Sequence, residues 1–336
     1  MKRIFRQNEI YVFFILIGIS ILITSFNRSF FTVETLFDLL RGHSFEAILA
    51  IGFFIALLSG GIDVSFTAVA ITSAYLGNLL LVTIGVDSLA LGLAVSCLTG
   101  IILGAINGML IGFFKIPTLI VTLGTLTLYW GALTSFLQTV IGKTIISQLS
   151  PAVVDFGKKN IFSYTTAEGM TLGMPLSAVI FIALAVITWA MLKYTTLGRS
   201  IKALGGNVEA AQRSGFKIIF IQIFIYSYIG FLASIGGFLH VSYIRVASPL
   251  YMIGSEITII AAVVLGGASI MGGKGSVIGT VLGISLLTII RTSLVLMKVP
   301  SYFQQMVIGL IIVVSVTITA YREQRKARSA RILNVG

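Results

Sequence analysis

The chain has 336 residues, of which 57% are hydrophobic and only 10% are charged, and its mean hydropathy is +1.05. Soluble domains carry about 25% charged residues, so this composition excludes a soluble globular protein and indicates an all-α polytopic membrane protein. The net charge of +12 does not call for nucleic acid as a partner, because Lys and Arg accumulate at the cytoplasmic ends of membrane spans.

Apolar stretches that approach the length of a membrane span, about 20 residues, recur about ten times. The first follows a basic N-terminus without a small-residue cleavage pattern, so we expect it to be an uncleaved span. The second and eighth are short and flanked by glycine, which predicts short or broken helices. The predicted spans cover approximately residues 10–26, 45–59, 64–84, 89–113, 117–138, 176–192, 218–239, 255–270, 276–296 and 303–321.

Basic residues predict how these spans are oriented. With the N-terminus in the cytoplasm, most Lys and Arg residues fall on cytoplasmic segments. We therefore expect one multi-pass domain over residues 1–336 in a bacterial inner (plasma) membrane, with both termini cytoplasmic. Within it, residues 139–175 form an external loop, residues 193–217 a cytoplasmic loop and residues 322–336 a basic cytoplasmic tail.

Two similar turns suggest an internal repeat. Lys115 and Pro117 stand between spans four and five, and Lys298 and Pro300 stand between spans nine and ten. A shift of five spans inverts the second copy relative to the first, as in transporters built from inverted repeats. Two such matches also arise by chance, so the sequence leaves both interpretations open.

Three acidic residues lie in or beside predicted spans: Glu46, Asp63 and Glu256. An acid inside a span costs about 2.5–3.5 kcal/mol on insertion scales and usually faces the bundle interior or water. We expect Glu46 and Glu256 near span ends. Asp63 either marks a helix break beside the translocation path or caps the next helix.

The glycine-rich run 263–283 is not a phosphate-binding loop. The pattern G-x-x-x-x-G-K-[ST] requires glycine at position 268 and a hydroxyl at position 275, whereas the chain has Ala268 and Gly275. We therefore expect a tight turn between two spans, with Lys274 at the cytoplasmic surface. No nucleotide or other cofactor is expected on this chain.

The remaining polar residues point to transport or packing rather than to catalysis. Asn107, Gln304 and Gln305, together with Glu256, either line a hydrophilic path or hold helices together by hydrogen bonds. His43 and His240 are isolated in the sequence, so no metal site is expected. We find no nucleophile with a base and no paired catalytic carboxylates, and the chain is not expected to be an enzyme.

A polar segment, residues 202–217, interrupts the apolar chain between two spans. Asn207 is a favourable N-cap, Glu209 lies in the first turn, Ala210 and Ala211 favour helix, and Gly215 is a natural stop. A helix of about two turns is unstable alone in water. The segment is either a docking element for a cytoplasmic partner or a plain loop.

Four motifs in this chain resemble those of the ribose/simple-sugar permease family of bacterial ABC importers. They are ALGGNVEAAQRSGFK at 203–217, GGIDVS at 60–65, the glycine-rich run 265–283 and the QQ run 304–311. The resemblance therefore spans most of the chain. One difference is that Phe66, Thr67 and Ala68 replace the Val-Gly-Ser that usually follows Ser65 in the family.

The resemblance implies a permease that works as a homodimer or heterodimer of permease subunits. Its other partners would be two cytoplasmic ABC ATPases, which hold ATP and magnesium, and an extracytoplasmic sugar-binding protein. The implied cargo is a pentose, a hexose or the sugar-like autoinducer-2. ATPase coupling would fall to Asn207, Glu209, Ala210, Ala211, Arg213, Ser214 and Gly215, and gating to Gly60, Gly61, Asp63, Ser65, Gly266, Gly267, Gly272 and Gly273.

A self-sufficient secondary transporter or channel for a small polar solute is the alternative. Such proteins more often place ionisable residues near the bilayer midplane, where they couple transport to ions. The acids of this chain are expected near span ends, which favours the ATP-driven importer.

Overall fold

Helices dominate the computed structural model, which describes residues 7–26, 30, 32–142, 144–165, 171–311, 313–314, 317 and 321. The predicted basic tail 322–336 and most of 312–321 lie outside the described residues. The first five helices are α1 (Gln7–Phe26), α2 (Val33–Leu58), α3 (Phe66–Ile84), α4 (Leu89–Phe114) and α5 (Thr118–Phe136), which continues into a π-helical turn, Leu137–Ile141.

The segment that follows is structured. It comprises α6 (Pro151–Lys158) and an antiparallel hairpin of β1 (Asn160–Thr165) and β2 (Thr171–Pro175). The remaining helices are α7 (Leu176–Tyr194), α8 (Thr196–Gly206), α9 (Val208–Arg213), α10 (Ile218–Ile244), α11 (Glu256–Leu265) and α12 (Val277–Leu296), followed by helical residues 301–311.

Seven of the described helices are long and apolar enough to cross a membrane: α2, α3, α4, α5 with its π-helical turn, α7, α10 and α12. Two shorter apolar helices cover Glu9–Ser25 and Glu256–Leu265. The architecture is therefore the predicted all-α polytopic one, with some helices too short to span a bilayer.

One predicted span length is wrong and another is confirmed. The second span was predicted to be short, but α2 has 26 residues, about 39 Å, and begins at Val33, where the Thr32 side chain accepts a hydrogen bond from the N–H of Thr35. The eighth is short, as predicted: α11 has ten residues, about 15 Å, which is half the apolar thickness of a bilayer. Glycines at 266 and 267 end it before the predicted boundary at residue 270.

Helix α2 lies at the centre of the bundle, where every residue from Glu46 to Leu58 is buried. Helices α4 and α10 pack against each other through small residues. A Cβ on Gly100 would lie 2.3 Å from the carbonyl oxygen of Gly230, and one on Gly104 would lie 2.1 Å from that of Tyr226. Glycines spaced four residues apart therefore let the two backbones touch, as is common between membrane helices.

The two Lys-x-Pro turns share a backbone conformation. Lys115 and Lys298 have φ angles of 54° and 56°, in the left-handed region that few non-glycine residues occupy. In both turns the proline directly precedes a helix. The similarity noticed in the sequence thus extends to the geometry of the turns.

Candidate coupling and gating site

Helix α9 forms where the sequence predicts it. The side chain of Asn207 accepts a hydrogen bond from the N–H of Ala210 at 2.9 Å, which is the expected N-cap. At the other end, Gly215 has a φ of +84°, and the N–H groups of Gly215 and Phe216 bond to the carbonyls of Gln212 and Ala211. This paired arrangement is the Schellman motif, which favours glycine at position 215.

Most of α9 is exposed. Ala211 is its one buried residue, whereas Glu209 and Arg213 have exposed side chains and approach each other at 4.0 Å. Ala210 and Ser214 are also exposed, and the Ser214 hydroxyl bonds only to the Ala210 carbonyl at 2.8 Å. Within the described part of the chain, α9 therefore presents a formed helical surface that the bundle itself does not cover.

A second helix, α8, precedes α9 and was not predicted. Thr195 caps it by accepting from the N–H of Gly198 at 3.1 Å, and Ile201 and Leu204 are buried against the bundle. The predicted cytoplasmic loop 193–217 therefore consists mainly of two short helices. The inner one is anchored in the bundle, and the outer one is exposed.

Gly205, near the end of α8, meets two other segments at what we call the glycine junction: Leu58, Gly60, Gly205, Gly272 and Gly273. A Cβ on Gly205 would lie 2.0 Å from the carbonyl oxygen of Leu58 and 2.6 Å from the nitrogen of Gly273. The N–H of Gly273 donates to the Leu58 carbonyl at 2.9 Å. The end of α2, the end of α8 and the turn between α11 and α12 therefore touch through their backbones.

The other glycines singled out in the sequence have separate roles. A Cβ on Gly61 would lie 2.8 Å from the Tyr226 hydroxyl, and one on Gly266 would lie 2.1 Å from the Gly279 carbonyl oxygen. Gly267 has a φ of +91° at the end of α11. Gly266 thus holds α11 against α12, and the glycine-rich run is a tight turn, as predicted.

Asp63 organises the turn that precedes the next helix. Its Oδ1 accepts hydrogen bonds from the N–H of Ser65 at 2.8 Å and from the Ser65 hydroxyl at 2.7 Å, immediately before α3. The Ser65 hydroxyl also accepts from Asn107 Nδ2 at 2.8 Å, and Asn107 Oδ1 accepts from the Tyr129 hydroxyl at 3.0 Å. Asp63, Ser65 and Asn107 are all buried, and Ser65 rather than Asp63 occupies the N-cap position of α3. Asp63 therefore shapes the break between α2 and α3, and Asn107 links this segment to α4 and α5.

The segment between α2 and α3 is also held from α5. The Thr118 hydroxyl accepts from the N–H of Ile62 at 3.0 Å, and the Thr122 hydroxyl donates to the Ile62 carbonyl at 3.1 Å. Sequence analysis did not identify these two threonines. The non-helical residues 59–65 are thus fixed by side chains from α4 and α5 rather than left loose.

Glu256 stands at the start of α11, next to the start of α3. Its Oε2 accepts from the N–H of Gly254 at 2.7 Å, and its Oε1 accepts from the Thr67 hydroxyl. Thr67 is one of the residues at which the chain departs from the family pattern. The helix starts of α3 and α11 are therefore joined directly by side chains from the two halves of the chain.

Glu46 was predicted to lie near a span end, but it does not. It is buried within α2, where its carboxylate contacts Arg291 of α12 at 3.1 Å and His43 at 3.1 Å. The sequence signal for this pair was Arg291, a basic residue inside an apolar run. Gln304 and Gln305 are not near these groups: Gln304 donates to the Val299 carbonyl at 2.7 Å, and Gln305 is exposed.

The residues that the structure describes contain no group of three or more His, Cys, Asp and Glu side chains that could hold a metal ion. The site is instead a set of backbone contacts, helix caps and buried polar links. Such an arrangement can transmit movement between helices.

Comparison with known proteins finds a family and several relatives of this sequence. The family described as "Branched-chain amino acid transport system / permease component" matches residues 35–316. Ribose import permease protein RbsC of Haemophilus influenzae is 32% identical over 97% of this chain and 96% of its own length. RbsC of Bacillus subtilis is 33% identical over 88% of both chains. The autoinducer 2 import system permease protein LsrC of Yersinia pseudotuberculosis is 31% identical over 85% of this chain and 77% of its own length. No solved structure matches significantly.

Proposed function

Since the chain belongs to the family of permease components of branched-chain amino acid transport systems, we propose that it is the membrane subunit of an ATP-driven importer of a sugar or sugar-like solute. The relatives named for ribose and autoinducer 2 import support this class of cargo. Two such subunits would work with two cytoplasmic ABC ATPases, which would bind ATP and magnesium, and with an extracytoplasmic sugar-binding protein. The distribution of Lys and Arg supports an orientation in a bacterial inner membrane in which both termini lie on the cytoplasmic side.

The exposed helix α9 carries this proposal. A six-residue helix is too short to be stable alone, yet caps at both ends hold it in shape outside the bundle. We assign ATPase docking to its exposed residues, with Asn207, Ala210, Ala211 and Ser214 maintaining the helix and Glu209 and Arg213 facing the partner. Gly215 keeps the left-handed conformation that ends it.

The glycine junction supplies a route from α9 into the membrane. Movement of α9 would shift α8, and Gly205 would press on Leu58 and Gly273 without an intervening flexible side chain. The junction touches the segment before α3 and the turn after α11, whose helix starts are linked by Thr67 and Glu256. One displacement would therefore act on both halves of the bundle. The solute path would run past Glu256, Gln304 and Gln305.

The proposal is tested by reconstituting the full importer in proteoliposomes and measuring solute uptake with and without ATP. We expect uptake to require ATP and the ATPase subunits, and to be lost in Glu209→Lys and in Gly215→Val, with normal insertion of both variants. Asp155→Lys, on the exposed face of α6, is the charge-matched control and should transport normally. Uptake driven by an ion gradient without the ATPases would instead identify a secondary transporter, and normal transport by both α9 variants would exclude α9 as the coupling element.

A further inference from the structure

A wide groove opens where α4 ends and α5 and α10 begin, on the same side of the bundle as α9. It has a volume of about 1080 Å³, and we call it the boundary groove. Its lining includes Ile111, Lys115, Thr118, Gln212, Lys217 and Phe220. Because one membrane-crossing helix ends there and two begin, the groove lies at the boundary between the apolar core of the bilayer and the headgroups.

The two lysines give the groove its charge. Lys115 is the C-cap of α4 and Lys217 is the N-cap of α10, and both side chains are exposed. None of the ion pairs found among the described residues involves either lysine. The first turns of α5 and α10 hold no acidic residue and no side-chain cap, so their two positive helix ends outnumber the one negative end of α4 at the groove.

The groove also has exposed apolar side chains. Phe220 is 59% exposed, and next to the groove Phe114 is 70% exposed at the end of α4. Large apolar side chains beside lysines at a membrane boundary match a molecule with hydrocarbon chains and an anionic headgroup. A soluble phosphate compound would leave these surfaces uncovered.

We propose that the boundary groove binds an anionic glycerophospholipid, with its phosphate between Lys115 and Lys217 and an acyl chain against Ile111 and Phe220. The lipid lies against Thr118, whose hydroxyl accepts a hydrogen bond from the N–H of Ile62 in the segment before α3. The inference rests on the position, the lysines and the apolar side chains of the groove, and its test uses the chain without cargo or ATPase.

Native mass spectrometry of the purified full-length chain tests the proposal. The chain is titrated with phosphatidylglycerol and, separately, with phosphatidylcholine that has the same acyl chains. We expect phosphatidylglycerol to bind more tightly, and the variant Lys115→Gln/Lys217→Gln to lose about five-fold in affinity for each lysine removed. Lys158→Gln/Lys159→Gln, which removes two exposed lysines at the end of α6, should bind as the wild type does.

A second variant separates headgroup from acyl recognition. Phe220→Ala retains both lysines, so it should weaken the binding of both lipids and keep the preference for phosphatidylglycerol. Equal binding of the two lipids to the wild type would overturn the proposal, and so would an unchanged preference in the double lysine variant. Displacement of phosphatidylglycerol by inorganic phosphate would overturn it as well, because the site would then recognise a phosphate without its lipid.

Discussion

Single polar side chains hold the non-helical segment before α3. Asp63, Ser65 and Asn107 form a continuous chain of hydrogen bonds from the loop to α4, and the Tyr129 hydroxyl extends it to α5. Sequence reasoning placed Asp63 at a helix break or a helix cap, since both depend on residues two or three positions away. It did not identify Tyr129, because the contact with Asn107 depends on how α4 and α5 pack.

Removing the Ser65 hydroxyl should destabilise the protein. Ser65→Ala leaves the buried Nδ2 of Asn107 without its acceptor, a loss of about 1–3 kcal/mol. Ser73→Ala is the matched control, because Ser73 is equally buried and bonds only to the Ala70 carbonyl of its own helix. Thermal unfolding in detergent should show a lower midpoint for Ser65→Ala than for Ser73→Ala, and equal midpoints would contradict the network.

Short helices outside the long spans connect the bundle to its surroundings. Helix α6 is held by Asp87, which accepts hydrogen bonds from the Ser150 hydroxyl and from the N–H of Ala152 at 2.9 Å. On the opposite side, α8 and α9 join the bundle through the glycine junction. Each element is too short to fold alone, and each depends on its contacts with the bundle.

The contact of Asp87 with α6 predicts a pH dependence. The hydrogen bond from Ser150, followed by that from Ala152, lowers the pKa of Asp87 below its usual value. A lowered pKa stabilises the folded state above the unfolded pKa, about 3.9, and the stabilisation is lost as the pH falls through the folded pKa. Hydrogen exchange, corrected for its intrinsic pH dependence, should show α6 losing protection as the pH falls below about 4 in the wild type. Asp87→Asn should lack this acid-dependent step.

Two adjacent glycines test the junction at the end of α8. Gly205→Ala places a methyl group 2.0 Å from the Leu58 carbonyl, so the backbones must separate, at a cost of about 1–3 kcal/mol. Gly206→Ala is the control, because no atom lies within 4 Å of its Cβ position. In the reconstituted importer, we expect Gly205→Ala to reduce solute uptake per ATP hydrolysed and Gly206→Ala to leave it unchanged. Equal ratios for both variants would show that the junction does not transmit movement.

Across the bundle, a charged pair joins the first half of the chain to the last described long helix. Glu46 of α2 and Arg291 of α12 are 245 residues apart in sequence. The Glu46 side chain is 9% exposed and that of Arg291 is 47% exposed, so the carboxylate depends on its partner more than the guanidinium does. This difference in exposure determines which single replacement costs more folding stability.

Arg291→Leu should destabilise the protein more than Glu46→Leu. The first change leaves a buried carboxylate with only two histidines, His43 and His240, nearby, whereas the second leaves an arginine that reaches solvent or headgroups. The cost should fall below the about 3–5 kcal/mol of a fully buried pair, because Arg291 is half exposed. The double variant should recover part of the loss. Thermal unfolding of the three variants checks this, and additive losses would argue against the pair.

Local patterns in the sequence determined the membrane class, most span positions, the caps of α9 and the helix break at Asp63, because each depends on residues within a few positions of one another. The family motifs likewise identified Gly60, Gly272 and Gly273 as important without indicating what they contact. Only the tertiary structure placed Gly205 against Leu58, Glu46 against Arg291 and Thr67 against Glu256. Those contacts join residues far apart in the chain, and helix packing decides them.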